Sequence, residues 1–527
     1  MKIVTPKVIM EQSRDWQHAS DCSPGRDIDL WIYGYPLRDE KWLDAAGAIE
    51  LYCGWGWEKL TRDTSGEYTI IIDDRRAGRH LAITGYFGAY TPYWNGEVVS
   101  SSIADFLPAR LNRAKVLEYL NWWCGTRAMP LGRTTYLEGV YRFPPASVTD
   151  LDTGESRCYW NPFRKVPAAS VEMFVEHFQR HIANALNACG QEPVVLSITG
   201  GLDTRSILAG ILSCKGKVSR AFTHWGEDRD DDLAQQICAH YRIPHTLYQD
   251  DDGSYQRLAD PLNGMVLGLT YRPIISSVKK EAEKGSGTLF MGLGGNEVWR
   301  HRSLDTSSPE ALVKSTCTSV YFPSLPPVYA VDIWKVMTDR AAEILKDAPA
   351  EHADDWLMWQ NMIPNWAGAL IPVLGKHFRI YDPILSKDLA EIMFSLPSGL
   401  RQSGKCQKEI IAQYPYLATL PYDTMLTSST VVRKTASLGR VVLTSRFVPR
   451  SLRRFGSTVS GTSTVTEQKR QAALKMLPLL EWDRMKARDI FDRQKLGAYI
   501  ASGANPPWVI RLASLEMWLQ GMGDKIK

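Results

Sequence analysis

The stretch Val194-Val195-Leu196-Ser197-Ile198-Thr199-Gly200-Gly201-Leu202-Asp203-Thr204-Arg205 constrains the fold more than any other part of the chain. Its first five residues form a short apolar run, the pattern of a parallel strand buried on both faces. The apolar run Ile207-Leu208-Ala209-Gly210-Ile211-Leu212 follows at helical spacing. A strand that enters a helix through Gly-Gly builds an anion site. The glycines let backbone N–H groups approach a phosphate, and the helix start adds its positive dipole end. Leu196 and Ser197 then close the strand, while Thr199, Gly200, Gly201, Leu202 and Thr204 form the cradle, with two hydroxyls as further donors. Asp203 would repel a bare phosphate, so its expected role is to hold Mg²⁺ beside one. No Gly-Lys-Thr/Ser follows, which excludes a Walker loop, and the third glycine of a dinucleotide fingerprint is missing. An ordinary strand-to-helix turn that contains Gly-Gly is the plainer alternative.

A chain of 527 residues is long enough for two or more domains with ample cores. With 44% hydrophobic and 23% charged residues, it has the composition of a soluble globular protein. A net charge of +4 is too small to argue for nucleic acid. There is no run of eighteen apolar residues, and Met1-Lys2-Ile3-Val4-Thr5-Pro6 lacks a signal-peptide pattern, so a cytoplasmic protein with no membrane partner is expected. Nine cysteines without CxxC pairs read as reduced thiols rather than disulfides or zinc ligands.

Up to about Arg164 the chain reads as short strands and turns with few long helices. Strands are expected over Asp27 to Tyr35, Tyr68 to Asp73, His80 to Thr84, Tyr90 to Trp94 and Val98 to Ser101. Beyond it, Pro167 to Cys189 predicts an amphipathic helix. Strand, helix and strand then follow over Ser219 to His224, Leu233 to Tyr241 and Pro244 to Tyr248, the alternation of a doubly wound α/β domain. The acidic turn Glu227 to Asp232 reads as a solvated helix start. A second glycine-rich strand end occurs at Gly287 to Trp299, which includes Gly292-Leu293-Gly294-Gly295-Asn296-Glu297. Further on come Arg379-Ile380-Tyr381-Asp382-Pro383-Ile384-Leu385 and Gly404-Lys405-Cys406-Gln407-Lys408. Thr427 to Arg470 is rich in Ser, Thr and basic residues, either a solvated segment or a cover for an anionic substrate. Pro507 to Gly521 predicts a final core helix.

The loop from Thr199 to Thr204 resembles the pyrophosphate loop of the asparagine synthetase family, usually written Ser-Gly-Gly-Leu/Ile-Asp-Ser, with Thr in place of both serines. Gly292 to Trp299 resembles the family's Gly-x-Gly-x-Asp-Glu segment, which supplies a second Mg²⁺ ligand. Asn296 stands where that family has Asp, with Gly294 in the loop and Glu297 beside it. Gly404 to Ile411 resembles the family's Gly-Lys-x-x-Lys-x-x-Leu, which makes Lys408 the phosphate-contacting lysine.

The resemblance implies two domains. Residues 1–164 would be an αββα, N-terminal-nucleophile-hydrolase-like (glutaminase-like) domain. Residues 165–527 would be a doubly wound α/β ATP-pyrophosphatase (synthetase) domain rich in helices. The glutaminase chemistry is missing. Its nucleophile is a cysteine at the processed N-terminus, whereas here Lys2 stands there and the first cysteine is Cys22. The family's arginine ahead of the turn after the third expected strand is likewise absent, with Thr84-Gly85 in its place.

A dead glutaminase half is the pattern of the β-lactam synthetase branch. The implied reaction uses ATP and Mg²⁺ to adenylate a substrate carboxylate, and an amine then closes an amide. That branch's Tyr–Glu base pair falls on Leu293 and Arg379, so Tyr381, Asp382 and Glu297 become the candidates for the base. The expected partner is a small amino-acid-like or peptide substrate with a carboxylate and an amine, with a homodimer as a possible assembly. A macrolactam-forming (lasso-type) peptide cyclase, an ammonia-dependent amidase and a non-catalytic scaffold are the rival readings.

Overall fold

A computed structural model describes residues 7–8, 16–122, 132–224, 228–248, 272–300, 304–318, 324–421, 477–502, 506–521 and 523–526. The protein is a mixed α/β structure built on two main sheets, one antiparallel and one parallel.

The antiparallel sheet has six strands, in the order Ser156–Cys158, Ser147–Asp150, Arg79–Thr84, Tyr68–Asp74, Ile28–Gly34 and Trp16–Asp21. Its register follows from side-chain alternation. Leu30, Ile32, Ile70, Ile72, Leu81, Ile83 and Val148 point to one face and pack on the helix Ala45–Arg62. Ile71 and Ala82 point to the other face, where they meet Trp94, Val99 and Phe143 of a smaller four-stranded sheet. Tyr93, on the far side of that smaller sheet, packs against Val116, Leu117 and Leu120 of the helix Arg113–Asn121. This half is therefore layered as helix, sheet, sheet, helix.

The helix Ala45–Arg62 is longer than its sequence suggests. Gly47, Gly54 and Gly56 weaken its propensity, and Gly56 leaves the helical region altogether at φ 78°. Asp44 caps it through the Gly47 N–H at 2.8 Å, and Ala45, Ala48, Ile49, Leu51, Tyr52 and Leu60 bury its inner face. Tertiary packing outweighs Gly47 and Gly54, whereas Gly56 kinks the helix.

The parallel sheet has five strands in the spatial order His245–Tyr248, Arg220–His224, Val194–Ser197, Thr288–Phe290 and Arg379–Tyr381. In order of appearance that is 3-2-1-4-5, and the direction of winding reverses between Val194–Ser197 and Thr288–Phe290. The expected helix at Pro167 to Cys189 is Val171–Cys189, capped by Ser170, and it crosses Leu202–Ser213 closely. A Cβ on Gly210 would lie 2.6 Å from the Phe178 ring. From Asp228 on, the acidic run belongs to the helix Asp228–His240, and Asp231 within it is buried, not solvated.

The two halves share a core. Tyr33, Leu37, Tyr86, Phe87 and Tyr90 belong to the same apolar cluster as the parallel strands. Arg142 donates to the carbonyl of Gly368 at 3.1 Å, Trp359 to that of Tyr86 at 2.7 Å, and Trp160 to the Glu391 carboxylate at 2.6 Å. The last helix, Pro506–Gly521, returns to the antiparallel half, where Trp508, Leu512, Leu515 and Trp518 join Tyr93 and Val116. Among the described residues no helix is long and apolar enough to cross a membrane. The basic segment Thr427 to Arg470 and Lys2 lie outside the described residues.

Glu67 lies next to the strand Tyr68–Asp74 of the antiparallel half. Its buried carboxyl accepts the N–H groups of Phe87 (3.1 Å) and Ala89 (2.8 Å) and so braces the turn after Thr84-Gly85. Burial pushes that carboxyl up to about 8, against those two hydrogen bonds. The folded state thus keeps a proton that the unfolded chain has already released above its ordinary value of 4.5. Stability from this group is therefore lost as pH rises between those two values. Glu67→Gln keeps an acceptor oxygen and removes the titration. Its urea midpoint should decline less than that of the wild type from pH 5 to 8, whereas parallel curves would contradict the assignment.

Candidate active site

In an open parallel sheet, ligands bind outside the carboxyl ends of the strands where the winding reverses. Here that point lies between two glycine-rich loops, the first running from Val194–Ser197 into the helix Leu202–Ser213. Leu196 and Ser197 are buried at the strand end. Thr199 Oγ1 accepts the Gly201 N–H (3.1 Å), and Thr204 Oγ1 accepts the Thr199 N–H (3.0 Å) and donates to the Thr199 carbonyl (3.1 Å). The two hydroxyls thus shape the turn by bonding its own backbone. The helix starts at Gly201 with no side-chain cap, which leaves its first-turn N–H groups for an anion.

The second loop follows Thr288–Phe290. Gly294 takes a left-handed conformation at φ 91° and opens a wide helical turn over Gly295–Trp299. Gly295 is where the two loops meet. A Cβ there would stand 2.1 to 2.3 Å from the carboxyl atoms of Asp203, so only glycine admits this approach. A third segment closes over the pair. Gly404, at φ 64°, opens the helix Lys405–Ala412 against Leu202, and Gln407 Nε2 reaches Asp203 Oδ1 at 3.4 Å. Arg300 Nη2 lies 3.5 Å from Asp203 Oδ2.

Three carboxyl groups share this corner. Asp203 is raised above the ordinary carboxylate value by burial, with Glu297's charge adding to the effect and Arg300 and Gln407 opposing it. Asp382 accepts the N–H groups of Leu293 (2.6 Å) and Ile384 (3.0 Å), and burial holds it well above its ordinary value despite them, with Asp203's charge acting in the same direction. Glu297 is buried.

The expected residues divide. Thr199, Gly200, Gly201, Asp203, Thr204, Gly294, Asn296 and Glu297 come together at the two loops, with Asn296 half-buried. Tyr381 is held away from this corner. Its hydroxyl donates to the His181 carbonyl at 3.0 Å, and its buried ring packs between Phe290 and Trp42. Burial also drives its phenol far upward, so it holds its proton. Asp382, the next residue, is the one beside Asp203. Lys408 donates to the Ser403 carbonyl at 2.6 Å, just ahead of its own helix, and Gln407 rather than Lys408 touches Asp203. Arg300 and Gln407 escaped the sequence reading. Their signals were a basic residue directly after a glycine-rich strand end and a polar side chain on the inner face of a short helix.

Among the described residues no three His, Cys, Asp or Glu side chains form a metal cage. The donor set fits a different arrangement, a Mg²⁺ held by one or two protein oxygens together with the phosphates it accompanies. Asp203 with Asn296 would supply hard oxygen ligands, with the carboxyl groups of Glu297 and Asp382 close by and Arg300 beside Asp203. Compared with models of known protein families and with curated proteins, the chain matches none.

The contact at Gly295 makes a direct prediction. Gly295→Ala should cost about 1–3 kcal/mol by overpacking. In an Asp203→Ala background, which removes the colliding carboxyl, the same change should cost at least about 1 kcal/mol less. Urea denaturation of the four proteins measures this, and additive effects would contradict the contact.

Proposed function

We propose that the protein is an ATP-dependent amide-bond-forming ligase of the asparagine synthetase type, closest to the β-lactam synthetase branch. The observation that carries the reading is the contact of Asp203 with Gly295 at the point where the parallel sheet reverses. A nucleotide triphosphate matches what two glycine loops, an uncapped helix start, Arg300 and a carboxylate corner offer together. In this reading residues 165–527 are an ATP-pyrophosphatase-like synthetase domain. Residues 1–164 are a glutaminase-like half, a view supported by its helix, sheet, sheet, helix layering. A cytoplasmic location belongs to the same reading, supported by the eight free cysteines among the described residues.

The reaction balances as two displacements. A substrate carboxylate oxygen attacks the α-phosphorus, the α–β bridge breaks, and pyrophosphate leaves. An amine of the substrate then attacks the acyl carbon, loses a proton, and AMP leaves. Asp203 and Asn296 would hold Mg²⁺, which would supply charge neutralisation on the phosphates. The Leu202–Ser213 helix start orients the departing pyrophosphate, with Lys408 turning from Ser403 to meet it. Glu297 and Asp382 are the carboxyl groups near Asp203 available to take the amine proton. An internal amine giving a lactam is the preferred reading, with ammonia as the alternative.

Phosphorus-31 NMR with a panel of amino carboxylates should show AMP and pyrophosphate, and Asp203→Asn should lose at least about a hundredfold in turnover. Formation of ADP would contradict the proposal. Asn296→Asp restores one negative charge and should lower the Mg²⁺ concentration for half-maximal rate, while Asn296→Leu should raise it. A Mg²⁺ requirement indifferent to both changes would remove Asn296 from the site.

A further inference from the structure

A cavity of about 350 Å³ opens between the two halves of the molecule, at the strand ends opposite to Asp203. Tyr33, Tyr35 and Tyr90 wall it from the antiparallel half, and Glu192, Lys376 and Arg379 from the parallel half. The tyrosines form a fixed aromatic corner. The Tyr33 and Tyr90 rings meet edge to face at 5.3 Å and those of Tyr35 and Tyr90 at 5.8 Å, and the Tyr35 hydroxyl donates to the Gly375 carbonyl at 3.2 Å. The backbone itself makes the space, since a Cβ on Gly375 would stand 2.4 Å from the Tyr90 hydroxyl oxygen.

Arg379 is the polar anchor of this cavity. Its Nη1 pairs with Glu192, and its guanidinium lies over Trp42 at 5.1 Å and Tyr35 at 5.8 Å. Its Nε is buried out of reach of the cavity, and Nη1 is engaged by Glu192, so Nη2 carries the donors left for a ligand. A planar cation held by stacking and by one carboxylate retains donors for a second anion. Lys376 adds another positive charge, so the lining carries two cations against one carboxylate. None of these groups belongs to the Asp203 corner, because Glu192 and Arg379 sit where their strands begin.

We propose that this cavity is a second small-molecule site, one that takes a small carboxylate bearing a flat apolar group. Arg379 and Lys376 hold the carboxylate, and the flat group lies against the tyrosine corner. The volume is within the range of small-ligand pockets. A neutral or cationic relative of the same shape leaves Arg379's spare donors unpaired, which is the basis of discrimination. The inference is independent of the nucleotide reading.

Isothermal titration calorimetry of the full chain tests it with phenylacetate as the probe, beside phenylacetamide and phenethylamine. Phenylacetate should bind saturably and at least tenfold more tightly than either relative. Arg379→Gln should weaken it at least tenfold. Ser286→Phe, which places a ring at an exposed position of the lining and leaves the ion pair intact, should do the same. Asp203→Asn should leave the affinity unchanged, since it lies at the other strand ends. Absence of phenylacetate binding, equal binding of the amide, or binding that survives both lining variants but is lost in Asp203→Asn would each overturn the proposal.

Discussion

The approach of Asp203 to Gly295 is the contact on which the rest of the candidate site depends. A carboxylate at the start of one helix can touch the backbone of a neighbouring loop only if that loop carries no side chain there. Two further glycines support the approach. Gly294 supplies the left-handed turn that brings Gly295 inward, and Gly404 lets the helix Lys405–Ala412 descend onto Leu202 so that Gln407 reaches the same carboxylate. Three segments far apart in the chain thus converge on one side chain. The convergence falls at the only place in a 3-2-1-4-5 sheet where adjacent strands leave in opposite winding senses and open a crevice.

Electrostatics at that corner run against easy ionisation. Asp203 and Asp382 are both raised by burial and by nearby like charge, with a single guanidinium close by in Arg300. Such an arrangement costs stability unless a cation completes it. Sites of catalysis are where a fold tolerates charge of this kind. The opposite strand ends are organised differently: Arg379 and Glu192 neutralise each other beside aromatic rings, and the space there is shaped by the junction of the two halves. The antiparallel half bears on this arrangement through the shared core, since Tyr33, Tyr86 and Tyr90 pack in the same cluster as Val195, Leu196 and Phe290.

Much of this was legible in the sequence because it is written in local chemistry. The strand Val194–Ser197, the Gly-Gly turn and the helix Leu202–Ser213 follow from apolar runs and glycines, and the helix Val171–Cys189 from its spacing. The helix Ala45–Arg62 was illegible because its glycines argue against a helix that packing then enforces. Asp231 reads as solvated in a run of acids and is buried, since burial is decided by what lands on a helix, not by its composition. Of the candidate bases, Tyr381 and Asp382 part at the end of their strand. Alternation along the strand Arg379–Tyr381 sends the Tyr381 ring under the sheet toward His181, and Asp382, just past the strand, carries the carboxyl back to Leu293. Arg300 and Gln407 depend on contacts between segments more than ninety positions apart, which spacing along the chain does not encode.

The two glycine loops are proposed to form one site for the phosphates of a nucleotide. A crystal structure with α,β-methylene-ATP and Mg²⁺ tests it most directly. The account predicts that the β- and γ-phosphates lie against the backbone between Thr199 and Thr204, with the metal at Asp203 and the α-phosphate turned toward Asp382. A nucleotide bound elsewhere, or phosphates held away from the Leu202–Ser213 helix start, would contradict it.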